Sequence, residues 1–167
     1  NAFCEDLTND LEKHLDKINF SNKLNDLKNE EKNLKLTDAK TFFNFEKIVT
    51  DLKDKTVKFV DEIIKNKKTV LALGASTKGN IILQHFGLTK EKIKFISERN
   101  PEKVGLKCLG SDIELISEER ARKINPEAFI VLPWNFKKEI VEREKEYLNM
   151  GGKLMFVMPY PHIVTKE

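Results

Sequence analysis

A short polar segment between two glycines carries residue types that suit the binding of an anion. Ser76, Thr77 and Lys78 stand between Gly74 and Gly79 and supply two hydroxyl groups and one ammonium group. The apolar run before this segment predicts a buried parallel strand, and the spacing of apolar residues after it predicts a helix. Such a strand-to-helix turn points free N–H groups and the positive end of the helix dipole at a ligand. The segment therefore indicates an anion site, most naturally for phosphate.

The segment matches neither of the two common phosphate-binding motifs. It lacks the pattern Gly-x-Gly-x-x-Gly, and Lys78 precedes Gly79, whereas the lysine of a Walker A loop follows its second glycine. The same residues also fit an ordinary turn in which the glycines serve only the backbone and Lys78 is solvated. The segment by itself leaves both interpretations open.

Two other loops are expected beside this turn, because ligands of such sheets bind outside the carboxyl ends of the strands. Glu98 ends the second predicted strand, where a Rossmann carboxylate holds ribose hydroxyls. Arg99 suits a phosphate in fork geometry, and Lys103 adds positive charge. Trp134 follows a later strand and offers an aromatic face to a base or a sugar. Three loops at one edge favour a ligand site over three unrelated surface features.

Each of these residues also has a purely structural explanation. Glu98 could form a surface ion pair, Asn100 belongs to an ordinary Asn-Pro turn, and Asn135 suits a helix N-cap. No catalytic residue is predicted, because His85 is expected in a largely buried helix and His162 outside the sheet.

The elements that position these loops predict an α/β fold, a Rossmann-like three-layer domain with a mostly parallel sheet of four or five strands. Apolar spacing predicts a helix over residues 3–18, a weaker helix or linker over 21–36, and a long helix over 39–66. The chain is thus expected to comprise an N-terminal helical extension, residues 1–36, and the Rossmann-like domain, residues 37–167.

Composition excludes several classes of protein. The net charge is +3, with nine Asp and Glu against six Lys in residues 1–38 and an excess of six positive charges in the remainder. Basic and acidic residues interleave without an aromatic-basic platform, which argues against nucleic acid as a partner. No segment has the length of an apolar membrane span, and the two cysteines lie far apart, so neither a zinc site nor a disulfide framework is indicated. These features favour a cytoplasmic location with no membrane partner.

Several short motifs, in one order along residues 36–162, resemble the C-terminal domain of SAM-dependent C-methyltransferases that act on nucleotide-linked deoxysugars. They are Gly74 to Asn80, Arg99-Asn100-Pro101 with Lys103 and Gly105, Gly110 with Ile113, Trp134-Asn135-Phe136 with Glu139-Ile140, and Gly151-Gly152-Lys153 before Pro159. Residues 1–35 match no pattern of that family known to us.

The resemblance implies a Rossmann-like domain that helps to hold a nucleotide-sugar, accompanied in the full enzyme by a zinc-binding domain and a central SAM domain. Glu98 stands where the family usually has Asp. The chain has no zinc-ligand cysteines, no glycine-rich SAM motif and none of the His, Tyr and Glu residues implied in catalysis. The implied cofactor of the full enzyme is SAM, and none is expected in this chain.

The main hypothesis is therefore a nucleotide-sugar-binding module, not catalytically complete alone, whose partner is a SAM domain in cis or in trans. Ser76, Thr77, Lys78 and the N–H groups of Gly79 and Asn80 would hold the diphosphate. Glu98 and Arg99 would contact the nucleoside or phosphate, and Trp134 and Asn135 would border the sugar. The full set of predicted binding residues is Gly74, Ser76, Thr77, Lys78, Gly79, Asn80, Glu98, Arg99, Asn100, Lys103, Trp134 and Asn135.

Two alternatives come from other classes of function. One is a small stand-alone methyltransferase that binds SAM at the Gly74 loop. The other is an interaction domain whose N-terminal helices dock a partner, with no small-molecule ligand.

Overall fold

The computed structural model describes residues 20–166, so the helix predicted over residues 3–18 lies outside the described part. The chain divides into two compact units, residues 1–47 and 48–167. In the first unit, helix α1 (Phe20–Asn33) confirms that the weak apolar pattern forms a helix. None of the described helices is long and apolar enough to cross a bilayer.

Helix α2 (Ala39–Lys65) begins in the first unit and ends in the second. The three-to-four spacing of its apolar residues predicts one buried face, and Leu52, Val60 and Ile63 are buried on it. This face packs in the same apolar cluster as Val70, a residue of the sheet. Helix α2 therefore covers one face of the sheet, as its sequence predicts.

After α2, strands alternate with helices up to the last two strands, a pattern that builds a parallel sheet. The elements are β1 (Val70–Leu73), α3 (Thr77–Phe86), β2 (Ile96–Glu98), a 3-10 helix (Pro101–Lys103), β3 (Leu115–Ser117), α4 (Glu118–Ile124), β4 (Ala128–Val131), a second 3-10 helix (Trp134–Phe136), α5 (Lys137–Arg143), α6 (Lys145–Asn149), β5 (Lys153–Phe156) and β6 (His162–Val164).

The strands form one sheet in the order β3-β2-β1-β4-β5-β6. All neighbours pair in parallel except β5 and β6, which are antiparallel. Chain order reverses between β1 and β4, because the chain leaves β3 at one edge and returns on the other side of β1. Strand order thus switches beside the carboxyl end of β1, where ligands of open α/β sheets bind.

Both faces of the central strand are buried, which explains its unbroken apolar sequence. Val70 and Ala72 face a cluster that includes α2 and α3, and Leu71 and Leu73 face a cluster that includes α4, α5 and α6. The predicted three-layer α/β architecture is confirmed.

The sheet has six strands instead of the four or five expected from the sequence. The additional strand is β6, in which Val164 pairs with Leu154 and His162 pairs with Phe156. Pro159 and Pro161 stop β5, as predicted, but the chain then reverses and adds an antiparallel edge strand. The sequence did not predict β6 because His162, Ile163 and Val164 follow two prolines and none of the three is buried, so they lack the apolar run of a buried strand.

We expect the free energy of unfolding of the second unit, residues 48–167, to depend on pH through Glu127, which lies at the amino end of β4. Its carboxylate accepts hydrogen bonds from Lys153 Nζ at 2.5 Å and Lys68 Nζ at 2.7 Å. These bonds, that from Lys153 first, lower the pKa of Glu127 from its ordinary value of 4.5. Because the folded pKa is the lower one, the stabilisation is present above that ordinary value and is lost as pH falls through the folded pKa.

Urea unfolding of the chain and of Glu127→Gln at pH 7 and pH 3 measures this contribution. The variant should be less stable by about 1 kcal/mol at pH 7, and the difference should shrink at pH 3. Glu119→Gln is the control, because Glu119 pairs with Lys123 one helical turn away and is 79% exposed. A Glu127→Gln effect of equal size at both pH values would contradict the assignment.

Candidate functional site

The bend between β1 and α3 is shaped by a glycine that lies against the end of β4. Gly74 has φ +79°, a conformation that side chains disfavour. A Cβ atom at Gly74 would lie 2.8 Å from Pro133 Cγ. The bend therefore needs glycine both for its backbone conformation and for its close approach to the loop after β4.

Ser76 caps helix α3 and accepts hydrogen bonds from two N–H groups that the sequence predicted to bind a ligand. Its Oγ accepts a hydrogen bond from the N–H of Gly79 at 3.0 Å, and its carbonyl accepts from the N–H of Asn80 at 2.9 Å. The expectation that the N–H groups of Gly79 and Asn80 hold a diphosphate is thus corrected. Within residues 20–166, the N–H groups of Thr77 and Lys78 have no acceptor in a preceding turn, as is usual for the first turn of a helix, and remain free.

Two adjoining cavities open at the carboxyl ends of β1, β2 and β4. The first cavity has a volume of about 380 Å³ and is lined by residues that include Gly74, Glu98 and Arg99. The second cavity has a volume of about 250 Å³ and is lined by residues that include Lys78 and Trp134. Lys78 and Trp134 thus lie at one cavity, although 56 residues separate them in the chain.

Three residues line both cavities, and they form the wall between them. They are Ser76, Pro133 and Phe136. A ligand bound at the free N–H groups of the α3 amino end would therefore reach into either cavity, because Ser76 immediately precedes Thr77.

Glu98 lies at the rim of the first cavity but is only 8% exposed. Its Oε2 accepts a hydrogen bond from the N–H of Ala75 at 3.0 Å, and its Oε1 accepts from the N–H groups of Arg99 and Asn100, both at 2.9 Å. The carboxylate therefore joins the β1–α3 loop to the loop after β2. The alternative of a surface ion pair for Glu98 does not describe this buried carboxylate.

Glu98 also acts on a nearby thiol. Burial is the main cause that raises the pKa of Cys108 from its ordinary value of 9.0, and the negative charge of Glu98 is the second. The Cys108 thiol is therefore protonated at neutral pH, which does not suit a nucleophile.

Glu118 and Arg143, which line the first cavity, belong to a network of ion pairs with Arg122 and Glu144. Arg143 donates from Nε to Glu144 Oε1 at 3.0 Å, and its Nη2 lies 3.3 Å from Glu118 Oε1. Arg122 Nη2 also donates to Glu144 Oε1 at 3.0 Å. Glu144 is only 2% exposed, and its Oε1 pairs with both guanidinium groups, which compensates for the burial of a polar side chain. The network fixes Arg143 and Glu118 at the cavity wall.

The structure brings most, but not all, of the sequence-predicted residues to the two cavities. Gly74, Ser76, Thr77, Lys78, Glu98, Arg99, Trp134 and Asn135 line one or both of them. Four others line neither cavity: Gly79 and Asn80 lie within α3, Asn100 accepts from the N–H of Glu102 at 3.0 Å, and Lys103 is exposed in the 3-10 helix.

The sequence placed the loop of residues 133–136 at this edge, but Phe136, Glu118, Glu139 and Arg143, which line the first cavity, were not among the predicted binding residues. Glu118 follows Ser117, whose Oγ accepts a hydrogen bond from the N–H of Arg120 and caps α4, and the end of β3 lies at the same edge as that of β2. Glu139 and Arg143 are four residues apart on α5 and therefore share one face. The helix positions were available from the sequence, but not the direction in which that face points.

Two expectations about histidines were wrong. His85 is exposed on α3, not buried. His162 belongs to the sheet, where its ring stacks on Phe156 at 5.3 Å between centroids and its Nε2 lies 2.8 Å from Lys137 Nζ.

Most of the chain matches a known protein family. A family model described as "C-methyltransferase C-terminal domain" matches residues 9–159. The chain belongs to this family. The match includes residues 9–35, which corrects the sequence-based view that the N-terminal segment lies outside the family pattern.

A curated relative is named C-methyltransferase NovU, from Streptomyces niveus. The two sequences are 35% identical over 105 residues, which is 63% of this chain and 25% of NovU. The C-methyltransferase C-terminal domain described here thus aligns with about a quarter of the length of that relative.

We expect Gly74→Ala to destabilise the domain by more than its backbone conformation alone explains. Alanine at φ +79° costs about 1–2 kcal/mol, and the contact with Pro133 adds an overpacking cost of about 1–3 kcal/mol. Gly105→Ala is the matched control, because Gly105 has φ +88° and no atom within 4 Å of an added Cβ. Urea unfolding compares the two variants, and equal losses would show that the approach to Pro133 does not constrain the bend.

Proposed function

We propose that this domain binds a nucleotide-sugar for a SAM-dependent sugar C-methyltransferase and does not complete methyl transfer by itself. Membership of the C-methyltransferase C-terminal domain family supports a role in such an enzyme. The observation that carries the proposal is the position of Ser76, which lines both cavities beside the amino end of α3.

The amino end of α3 would hold the diphosphate. Thr77 and Lys78 present free N–H groups there, and the helix dipole favours negative charge. Lys78 and Arg99 are exposed, and within residues 20–166 neither forms an ion pair. Their positive charges are therefore available to phosphate oxygens, at the second and the first cavity respectively.

The two cavities would take the two groups that a diphosphate joins. The first cavity is larger and carries the carboxylates of Glu118 and Glu139, which accept hydrogen bonds from hydroxyl groups. These hydroxyl acceptors suit the nucleoside with its ribose, and Arg99 in the same cavity suits the adjoining phosphate. The second cavity is bordered by Trp134 and Asn135, and an aromatic face suits the apolar side of a deoxysugar.

The methyl donor would bind elsewhere in the enzyme. NovU is about four times as long as the segment that aligns with this chain, since that segment is 25% of it. A SAM domain, in cis or in trans, would then methylate the sugar that projects from the second cavity. This arrangement explains why the chain lacks a glycine-rich SAM motif.

Trp134 provides a direct test, because it is the single tryptophan of the chain and lines the second cavity. We expect its fluorescence to change on titration with UDP or TDP, and the Lys78→Ala variant to bind about tenfold more weakly because it loses one charge-assisted hydrogen bond. Lys94→Ala is the matched control, since Lys94 is exposed at the amino end of β2, on the opposite edge of the sheet.

Three outcomes would contradict this assignment. Equal titration curves for Lys78→Ala and the unaltered chain would show that Lys78 does not bind the phosphate groups. A fluorescence change with SAM but not with UDP or TDP would favour a stand-alone methyltransferase. No change with any of these ligands would leave the interaction domain as the better hypothesis.

A further inference from the structure

The buried carboxylate of Glu98 connects the loops that follow β1 and β2. The N–H of Gly74 donates to the carbonyl of Ser97 at 2.8 Å, and this is the last ladder hydrogen bond from β1 to β2. Beyond it, the Oε2 of Glu98 holds Ala75 at 3.0 Å, and its Oε1 holds Arg99 and Asn100. Glu98 thus extends the connection between the strands into the two loops that border the first cavity.

These hydrogen bonds leave little capacity for a ribose. Two carboxylate oxygens offer about four acceptor positions, and three are filled by N–H groups. A ribose gripped by its paired hydroxyls needs one free position on each oxygen, whereas Oε1 already accepts two bonds. Since Glu98 is also 8% exposed, it is poorly placed to serve as the ribose ligand that its position after β2 suggests.

The bond to Ala75 acts at the residue immediately before the Ser76 cap. Ser76 Oγ in turn accepts from the N–H of Gly79, which fixes the first turn of α3. The orientation of the free N–H groups of Thr77 and Lys78 therefore depends on a chain of hydrogen bonds that begins at Glu98. On the other loop, the same carboxylate fixes the backbone from which the Arg99 side chain extends.

We propose that Glu98 is a positioning residue, which holds the β1–α3 loop and the loop after β2 together so that their donors converge on the diphosphate, and that it is not a ribose ligand. This inference rests on the proposed function for the identity of the ligand. It assigns to Glu98 a role that acts through the backbone of Ala75, Arg99 and Asn100.

Glu98→Gln tests the role with little change in shape. A glutamine side chain has one oxygen and one NH₂ group, so in either orientation it sets a donor against the N–H groups of one loop. Glu98→Asp keeps the charge but is one methylene shorter, so it should not span both loops. Glu102→Gln is the control, because it removes the same charge from an exposed residue of the adjacent 3-10 helix.

The decisive measurement compares two probes by Trp134 fluorescence: UDP, which contains ribose, and inorganic pyrophosphate, which does not. We expect Glu98→Gln to weaken binding of both by a similar factor, about tenfold for the loss of a hydrogen bond to a charged group. Glu102→Gln should leave both affinities nearly unchanged. A loss with UDP alone would show that Glu98 contacts the ribose, and would overturn the proposal.

Two further measurements test the role of Glu98 if the variants fold poorly or if the chain binds neither probe. In the unaltered chain, the carboxyl carbon-13 resonance of Glu98 should respond alike to UDP and to pyrophosphate, and a response to UDP alone would overturn the positioning role. If neither probe binds the unaltered chain, the proposed function fails. Amide hydrogen exchange at Ala75, Arg99 and Asn100 then decides the loop connection: faster exchange in Glu98→Gln supports it, and unchanged exchange rejects it.

Discussion

The architecture of this site depends on how closely the β1–α3 bend approaches the end of β4. An added Cβ at Gly79 would lie 2.5 Å from Leu132 Cβ, and one at Gly74 would lie 2.8 Å from Pro133 Cγ. Both contacts are possible only because these residues have no side chain. They bring Ser76 within reach of the loop after β4, and this proximity creates a wall with a cavity on each side.

The sheet can maintain this approach because its central strands are buried on both faces. Residues of β1 alternate between two apolar clusters, one with α2 and α3 and the other with α4, α5 and α6. The register that pairs Leu73 with Val131 aligns the carboxyl ends of β1 and β4. The loops that follow these strands therefore start at the same level, and the core fixes where the candidate site lies.

Buried or partly buried polar interactions lie at both ends of the parallel strands. At the edge opposite the site, Glu127 joins Lys68 to Lys153 and stabilises the amino ends of β1, β4 and β5. At the site, buried Glu98 and buried Glu144 hold backbone N–H groups and guanidinium groups. Lys78 and Arg99 are left with exposed charge, as the proposed binding of a diphosphate requires.

The sequence by itself determined the fold class, the family and the loops that line the site. Unbroken apolar runs and helical spacing carry local information, since a strand buried on both faces needs apolar residues throughout. The glycines and the hydroxyl residues of the first turn mark the bend for the same local reason. The sequence could not predict strand β6 or the exposed position of His85, because both depend on residues that are distant in the chain.

Only the tertiary structure decided what each polar group is free to do. Glu98 stands where the sequence predicts a ribose ligand, yet both of its oxygens already accept hydrogen bonds from N–H groups of two loops. The N–H groups of Gly79 and Asn80 belong to a turn that the sequence predicts to bind phosphate, yet both already donate to Ser76. A sequence records which groups can form hydrogen bonds, but packing brings their partners together, and so packing decides which of them a ligand can still use.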